Sequence, residues 1–185
     1  SDLVGMDGIE EKDIIPYKYP SDEELKRVGV TGLFLGHYVP WDGYTNTLLA
    51  QAYGFSTYEN TIEGSMVNYE NLDNCQMGIH DYFKFLKFGF SRSSDISSLH
   101  VRRGRITRKD AIDIVRMHDG KFPWSYLGVS LEEILDPLEI SIDEFVKICD
   151  RFTNKKLFVA DSKGGLLKDK NGNLTKINYD NACLS

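Results

Sequence analysis

Apolar positions recur at helical spacing through the middle of the chain, and most of these runs open on a capping signal and close on a glycine. Ser21-Asp-Glu-Glu24 is a capping box that predicts a short helix ended by Gly29. Gly32 to Val39 is an apolar run with glycine on both sides, which reads as a buried strand closed by Pro40. Asp42 then caps a helix through Leu48, Leu49, Ala52 and Tyr53, stopped by Gly54. Residues 55–72 are polar and irregular and predict mostly loop. Asp73 or Asn74 caps a helix to about Phe88, with Gly89 as its stop, and residues 94–103 predict another, stopped by Gly104. Thr107-Arg-Lys-Asp110 opens a helix that Gly120 stops. Ser130 and Ser141 begin two further capping boxes, with Pro137 separating their helices. Leu157–Ala160 could be a strand, Lys168–Asn173 is a turn signal that makes a hairpin plausible, and the final ten residues are expected to fray. The pattern is mostly helical with a few short strands. It divides into residues 1–72, 73–154 and 155–185.

The helix over 73–88 has an unusual distribution of side chains. At 100° per residue, Ile79, Tyr82, Phe83 and Leu86 share one face, while Phe85 and Phe88 lie nearly opposite. His80, Lys84 and Lys87 run along one narrow line between them. Two apolar faces predict a helix sandwiched between neighbours, with the cationic line in a seam. The competing reading is that the lysine stems snorkel to solvent and His80 is structural.

Composition changes the picture in one respect. The 185 residues carry a net charge of −6, with 41% hydrophobic and 27% charged residues, as ordinary globular chains do. The charge is uneven. Residues 81–109 carry eight basic side chains and two acidic ones, whereas residues 1–80 carry four and thirteen. This island would attract an anionic ligand such as a phosphate, a sugar nucleotide or a nucleic acid, although a charge run is often a solvated face. Cys75, Cys149 and Cys183 form no CxxC pair, which argues against a thiolate metal site or a disulfide framework and fits a reducing cytoplasm. Cys149, in an apolar helical pattern, reads as a core residue. No apolar run approaches the roughly 20 residues of a membrane helix, and the acidic, glycine-broken start does not read as a signal peptide. Because the first residue is Ser rather than Met, the chain is expected to be a fragment.

The chemistry-bearing residues concentrate between 80 and 108. Arg92, Arg102, Arg103, Arg105 and Arg108 offer guanidinium forks suited to phosphates or carboxylates, with Lys84, Lys87 and Asp95 beside them. The helix start at Thr107 would add free backbone N–H groups next to Arg105 and Arg108. His80 and His100 are candidate catalytic groups by chemistry type only. No metal site is suggested.

The run His80-Asp-Tyr-Phe-Lys-Phe-Leu-Lys-Phe-Gly-Phe-Ser-Arg92, followed by Asp95, His100, Arg102-Arg-Gly-Arg-Ile-Thr-Arg108 and Ala111, resembles the N-acetyl sugar amidotransferases of lipopolysaccharide O-antigen and nonulosonic acid biosynthesis. Tyr38-Val-Pro-Trp-Asp42, Gly54-Phe55 and Tyr69-Glu-Asn-Leu-Asp73 are similar to the same family, so the likeness runs from about Tyr17 to Phe152. The resemblance implies an α/β parent fold of the PP-loop adenine nucleotide α-hydrolase kind, with residues 1–72 ending that domain and 73–154 forming a C-terminal helical region. It implies conversion of a sugar acetamido group to an acetamidino group. ATP with Mg would adenylate the amide oxygen, and ammonia would displace AMP. The implied partners are a nucleotide-linked N-acetyl sugar and glutaminase and cyclase-like subunits that supply ammonia, with no nucleic acid and no membrane. Lys84, Lys87, Arg92, Asp95, Arg102, Arg103, Arg105 and Arg108 would help bind the substrate.

The sequence departs from that family in having no SGGxDS phosphate loop and no N-terminal cysteine pairs, and Gly164-Gly165 lacks the Ser and Asp context. The chain would then be the later portion only, inactive toward ATP by itself. Two rival readings are a basic helical nucleic-acid module, against which the acidic pI of about 5.2 argues, and a structural domain whose cationic island is paired internally.

Overall fold

The computed structural model describes residues 3–177. The chain divides into two compact units between Asp42 and Gly43. In the first unit, α1 spans Glu11–Ile14, α2 spans Asp22–Val28 and α3 spans Leu35–Tyr38. The Ser21 box caps α2 as expected, with Ser21 Oγ accepting from the Glu24 N–H at 3.2 Å, and Gly29 ends it at φ +76°. The buried strand expected over 32–39 is absent. Its centre is the single helical turn α3, and Leu33, Phe34 and Leu35 are all exposed. The reason is that a strand needs a partner to take its N–H and C=O groups, and this segment pairs with none among the described residues.

The second unit holds the rest. Here α4 spans Gly43–Ala52, α5 Met77–Phe88, α6 Arg92–Arg102 and α7 Arg108–His118. A two-residue hairpin follows, β1 (Ser125–Tyr126) pairing antiparallel with β2 (Val129–Ser130), and then α8 (Leu131–Leu135) and α9 (Ile142–Phe152). The boxes at Thr107, Ser130 and Ser141 all close reciprocally. Helix α5 starts at Met77, later than expected, because Asn74 Oδ1 accepts from the Gln76 N–H at 2.8 Å and holds 74–76 in a turn.

The main core forms where α5 meets α8 and α9. Tyr82, Phe85 and Leu86 pack with Phe122, Leu131, Leu135, Phe145 and Cys149. Each such side chain contributes about 1.5–3 kcal/mol through burial. Gly120 is required there. It sits at φ +73°, and a Cβ on it would lie 2.2 Å from Phe85 Cζ. Segment 55–72 is irregular as expected but is not merely surface loop, since Ile62 is buried with Tyr126 and Ile134 in a second cluster.

Helix α5 is not sandwiched. Gly78, Asp81, Tyr82, Phe85 and Leu86 form one broad buried arc, while Phe88 is exposed. Beyond α9, segments 157–160, 166–168 and 174–177 bond in a ring. The Val159 N–H donates to Thr175 O at 2.8 Å, the Leu167 N–H to Val159 O at 2.9 Å, and the Thr175 N–H to Leu167 O at 3.1 Å. The expected hairpin is present as part of this closed arrangement, which satisfies edges that a lone hairpin would expose. Most of the tail expected to fray, and Cys183 with it, lies outside the described residues. Among the described residues no helix is long and apolar enough to cross a membrane.

Candidate functional site

The hairpin of α6 and α7, joined by the turn 103–107, carries a groove of about 890 Å³ that is open to solvent. Leu99, Val101, Ala111, Ile112 and Val115 supply an apolar floor, and Arg102, Arg108 and Arg116 stand around it. The two rows follow helical spacing: Ser94, Ser98 and Arg102 along α6, and Arg108, Ile112 and Arg116 along α7. Arg102 and Arg108 sit beside the turn, with Ser94, Asp95 and Arg116 toward the other end.

Several polar groups near this groove are already satisfied by the protein. Asp119 closes the N-terminus of α6, accepting from the Ser91 N–H at 2.9 Å, Ser91 Oγ at 2.8 Å and Ser94 Oγ at 2.6 Å. A carboxylate thus fills the place an anion would take at a helix start. The N-terminus of α7 is likewise occupied. Thr107 Oγ1 accepts from the Asp110 N–H at 3.2 Å, and the Asp110 carboxylate bonds back. The free N–H groups expected at Thr107 are therefore reduced by its own capping box. Ser97 Oγ contacts Met66 Sδ at 3.1 Å.

The sequence-predicted set does not converge as one cluster. Asp95, Arg102 and Arg108 line the groove, and Lys84 joins them through its ion pair with Asp95 while lying 5.1 Å from the Phe90 ring centre. Arg92 turns inward. Its Nε donates to Asp81 Oδ2 at 2.6 Å, Nη2 to Asp81 Oδ1 at 3.2 Å and Nη1 to Glu70 Oε2 at 3.3 Å. With its amide oxygen toward Arg92, Asn71 accepts from Nη1 at 2.8 Å. Burial works against the Arg92 charge, but Asp81, with Glu70 behind it, outweighs burial and holds the guanidinium above its ordinary pKa. Arg92 is an internal tie between α5, α6 and the 70–71 segment.

The other candidates are dispersed. Lys87 is exposed, with its ammonium 5.6 Å from the Phe152 ring centre. His80 is exposed beside Asp81, with Nδ1 3.1 Å from Oδ1. Both lie on the open side of α5. Arg105 lies 4.8 Å from the Tyr44 ring centre, and the His100 ring meets the same tyrosine edge-on at 5.8 Å. Arg103 caps the end of α6, its N–H donating to Leu99 O at 3.0 Å. Neither Arg103 nor Arg105 lines the groove. Sequence reasoning missed Arg116 and Ser98, although the i, i+4, i+8 rows contain them. It also passed over Asp81 and Asp119, whose roles depend on contacts 11 to 28 residues away.

The Gly164–Gly165 turn is closed by its own aspartate, since Asp161 Oδ1 accepts from the Lys163 N–H at 2.7 Å and the Gly165 N–H at 2.8 Å. It therefore offers no vacant nest for phosphate. No group of three or more His, Cys, Asp and Glu side chains is placed to hold a metal ion among the described residues.

The described residues of the second unit thus form an arginine-rimmed helical hairpin beside an α-helical core. Residues 55–170 match the family model described as "LPS biosynthesis protein WbpG-like, C-terminal domain", and the chain belongs to that family. Its role therefore lies in lipopolysaccharide biosynthesis. Compared with curated proteins, the chain matches none.

Proposed function

We propose that this chain is the substrate-holding, C-terminal part of an ATP-dependent N-acetyl sugar amidotransferase, which converts a sugar acetamido group to an acetamidino group in surface polysaccharide synthesis. The parent fold would be of the PP-loop kind, and ATP and the ammonia-supplying subunits would act through another part of the protein. One observation carries the reading. Arg102 and Arg108 both line the α6–α7 groove, and neither has a carboxylate partner among the described residues. Two unpaired guanidinium groups favour a diphosphate. The apolar floor suits the methyl of an N-acetyl group and the face of a nucleobase, and Ser98 and Asp95 add polar groups that a sugar substituent can bond.

The test is a calorimetric titration of the chain with UDP-N-acetylglucosamine at low salt, repeated on Arg102→Ala and Arg108→Ala. Binding is expected, weakened about tenfold by each substitution, a change of about 1.4 kcal/mol. No heat with the nucleotide sugar, together with salt-sensitive binding of random RNA, would replace this reading with the nucleic-acid module. Unchanged affinity in both variants would remove the groove from the account.

A further inference from the structure

The groove can be read for the part of the ligand it recognises, an inference that rests on the nucleotide-sugar reading above. Of its three serines, Ser94 is bonded to Asp119 and Ser97 to Met66. Ser98 lines the groove with a hydroxyl that has no partner among the described residues. Asp95, one turn earlier on the same face of α6, uses Oδ2 for Lys84 and leaves Oδ1 without a partner. The free acceptor and the free hydroxyl are three residues apart on a helix, and so are neighbours. Lys84 is held in turn by Asp95 and by the Phe90 ring. Leu99 and Ile112 lie on the floor of the same groove, 43% and 40% exposed, without the cover that the core gives its apolar residues.

We propose that Asp95 and Ser98 read the acetamido group of the sugar. An acetamido group has one N–H donor, one carbonyl acceptor and a methyl. Asp95 Oδ1 accepts from the N–H, the Ser98 hydroxyl donates to the carbonyl, and Leu99 and Ile112 take the methyl. A bare sugar hydroxyl at that position cannot satisfy all three. Lys84 touches none of these atoms and is a positioning residue, which keeps the Asp95 carboxylate turned toward the groove. Arg102 and Arg108, beside the turn, are left for the phosphates.

The experiment compares UDP-N-acetylglucosamine with UDP-glucose on the same chain by calorimetry. The wild-type chain is expected to prefer the N-acetyl compound by about tenfold, because a site built to hydrogen-bond a group rejects the analogue lacking it. Ser98→Ala and Asp95→Ala should each bring the ratio close to one, by lowering affinity for the N-acetyl compound more than for UDP-glucose. Lys84→Met should lower the ratio and Lys84→Arg should restore it, a rescue that a purely structural lysine would not show. Circular dichroism confirms that each variant is folded. If wild type binds both compounds equally, or the variants weaken both equally, the acetamido assignment is wrong while the nucleotide-sugar reading stands. If neither compound binds, both fall.

Discussion

The α5–α8–α9 core and the α6–α7 hairpin belong to the same unit and use similar residue types in opposite ways. In the core, Tyr82, Phe85 and Leu86 are covered on all sides and their charged neighbour Asp81 is held by Arg92. On the hairpin, Leu99 and Ile112 stay open, and Arg102 and Arg108 have no carboxylate partners among the described residues. The first arrangement uses its interactions to hold the fold. The second leaves apolar surface and charge that a ligand can use. Mutations should therefore separate stability from binding.

The largest effect is expected at the core. Gly120→Ala would force a Cβ into Phe85 at a positive φ, and should destabilise the chain by about 4 kcal/mol in urea unfolding. A loss under about 1 kcal/mol would mean that the core is looser than this packing implies. Next is Arg92→Met, which leaves Asp81 nearly buried without its fork and should cost about 3 kcal/mol.

The third effect depends on pH. Burial pushes the Cys149 thiol up to about 12, and burial likewise raises Tyr126 to about 12 and Tyr82 further. A folded-state pKa above the unfolded value gives stability that is whole below the unfolded pKa, near 9 for the thiol, and is lost as pH rises toward 12. At pH 10 the thiol alone should account for about 1.4 kcal/mol of lost stability, an effect that Cys149→Ser should reduce in an unfolding series across pH 8–11. Ser141→Ala, which removes the α9 cap, should cost about 1 kcal/mol. Smallest of all, Ile112→Ser on the groove floor should change stability by less than about 0.5 kcal/mol while weakening the N-acetyl ligand. A large loss of stability there would mean that the hairpin floor is part of the core.

Much of the fold was legible in local signals. Capping boxes at Ser21, Thr107, Ser130 and Ser141, and stops at Gly29, Gly54, Gly89 and Gly104, are written in three to five adjacent residues, and the structure has them all. What local signals could not carry was pairing at a distance. Gly32–Val39 has the apolar pattern of a strand, but a strand depends on a neighbour that periodicity does not reveal. The same holds for the site. Composition located the cationic island, yet Arg92 and Arg108 read alike in sequence. Only the position of Asp81, eleven residues before Arg92, turns one inward, and the facing of α6 and α7 leaves the other on an open groove.

The central claim is that the α6–α7 groove, not the dispersed remainder of the basic segment, meets the ligand. An amide chemical-shift titration of the chain with UDP-N-acetylglucosamine tests it most directly. The account predicts shifts confined to Asp95–Arg116, centred on Ser98, Arg102 and Arg108, with α8 and α9 unmoved. Shifts centred on His80, Lys87 and Arg105 with the groove silent, or no shifts at all, would contradict it.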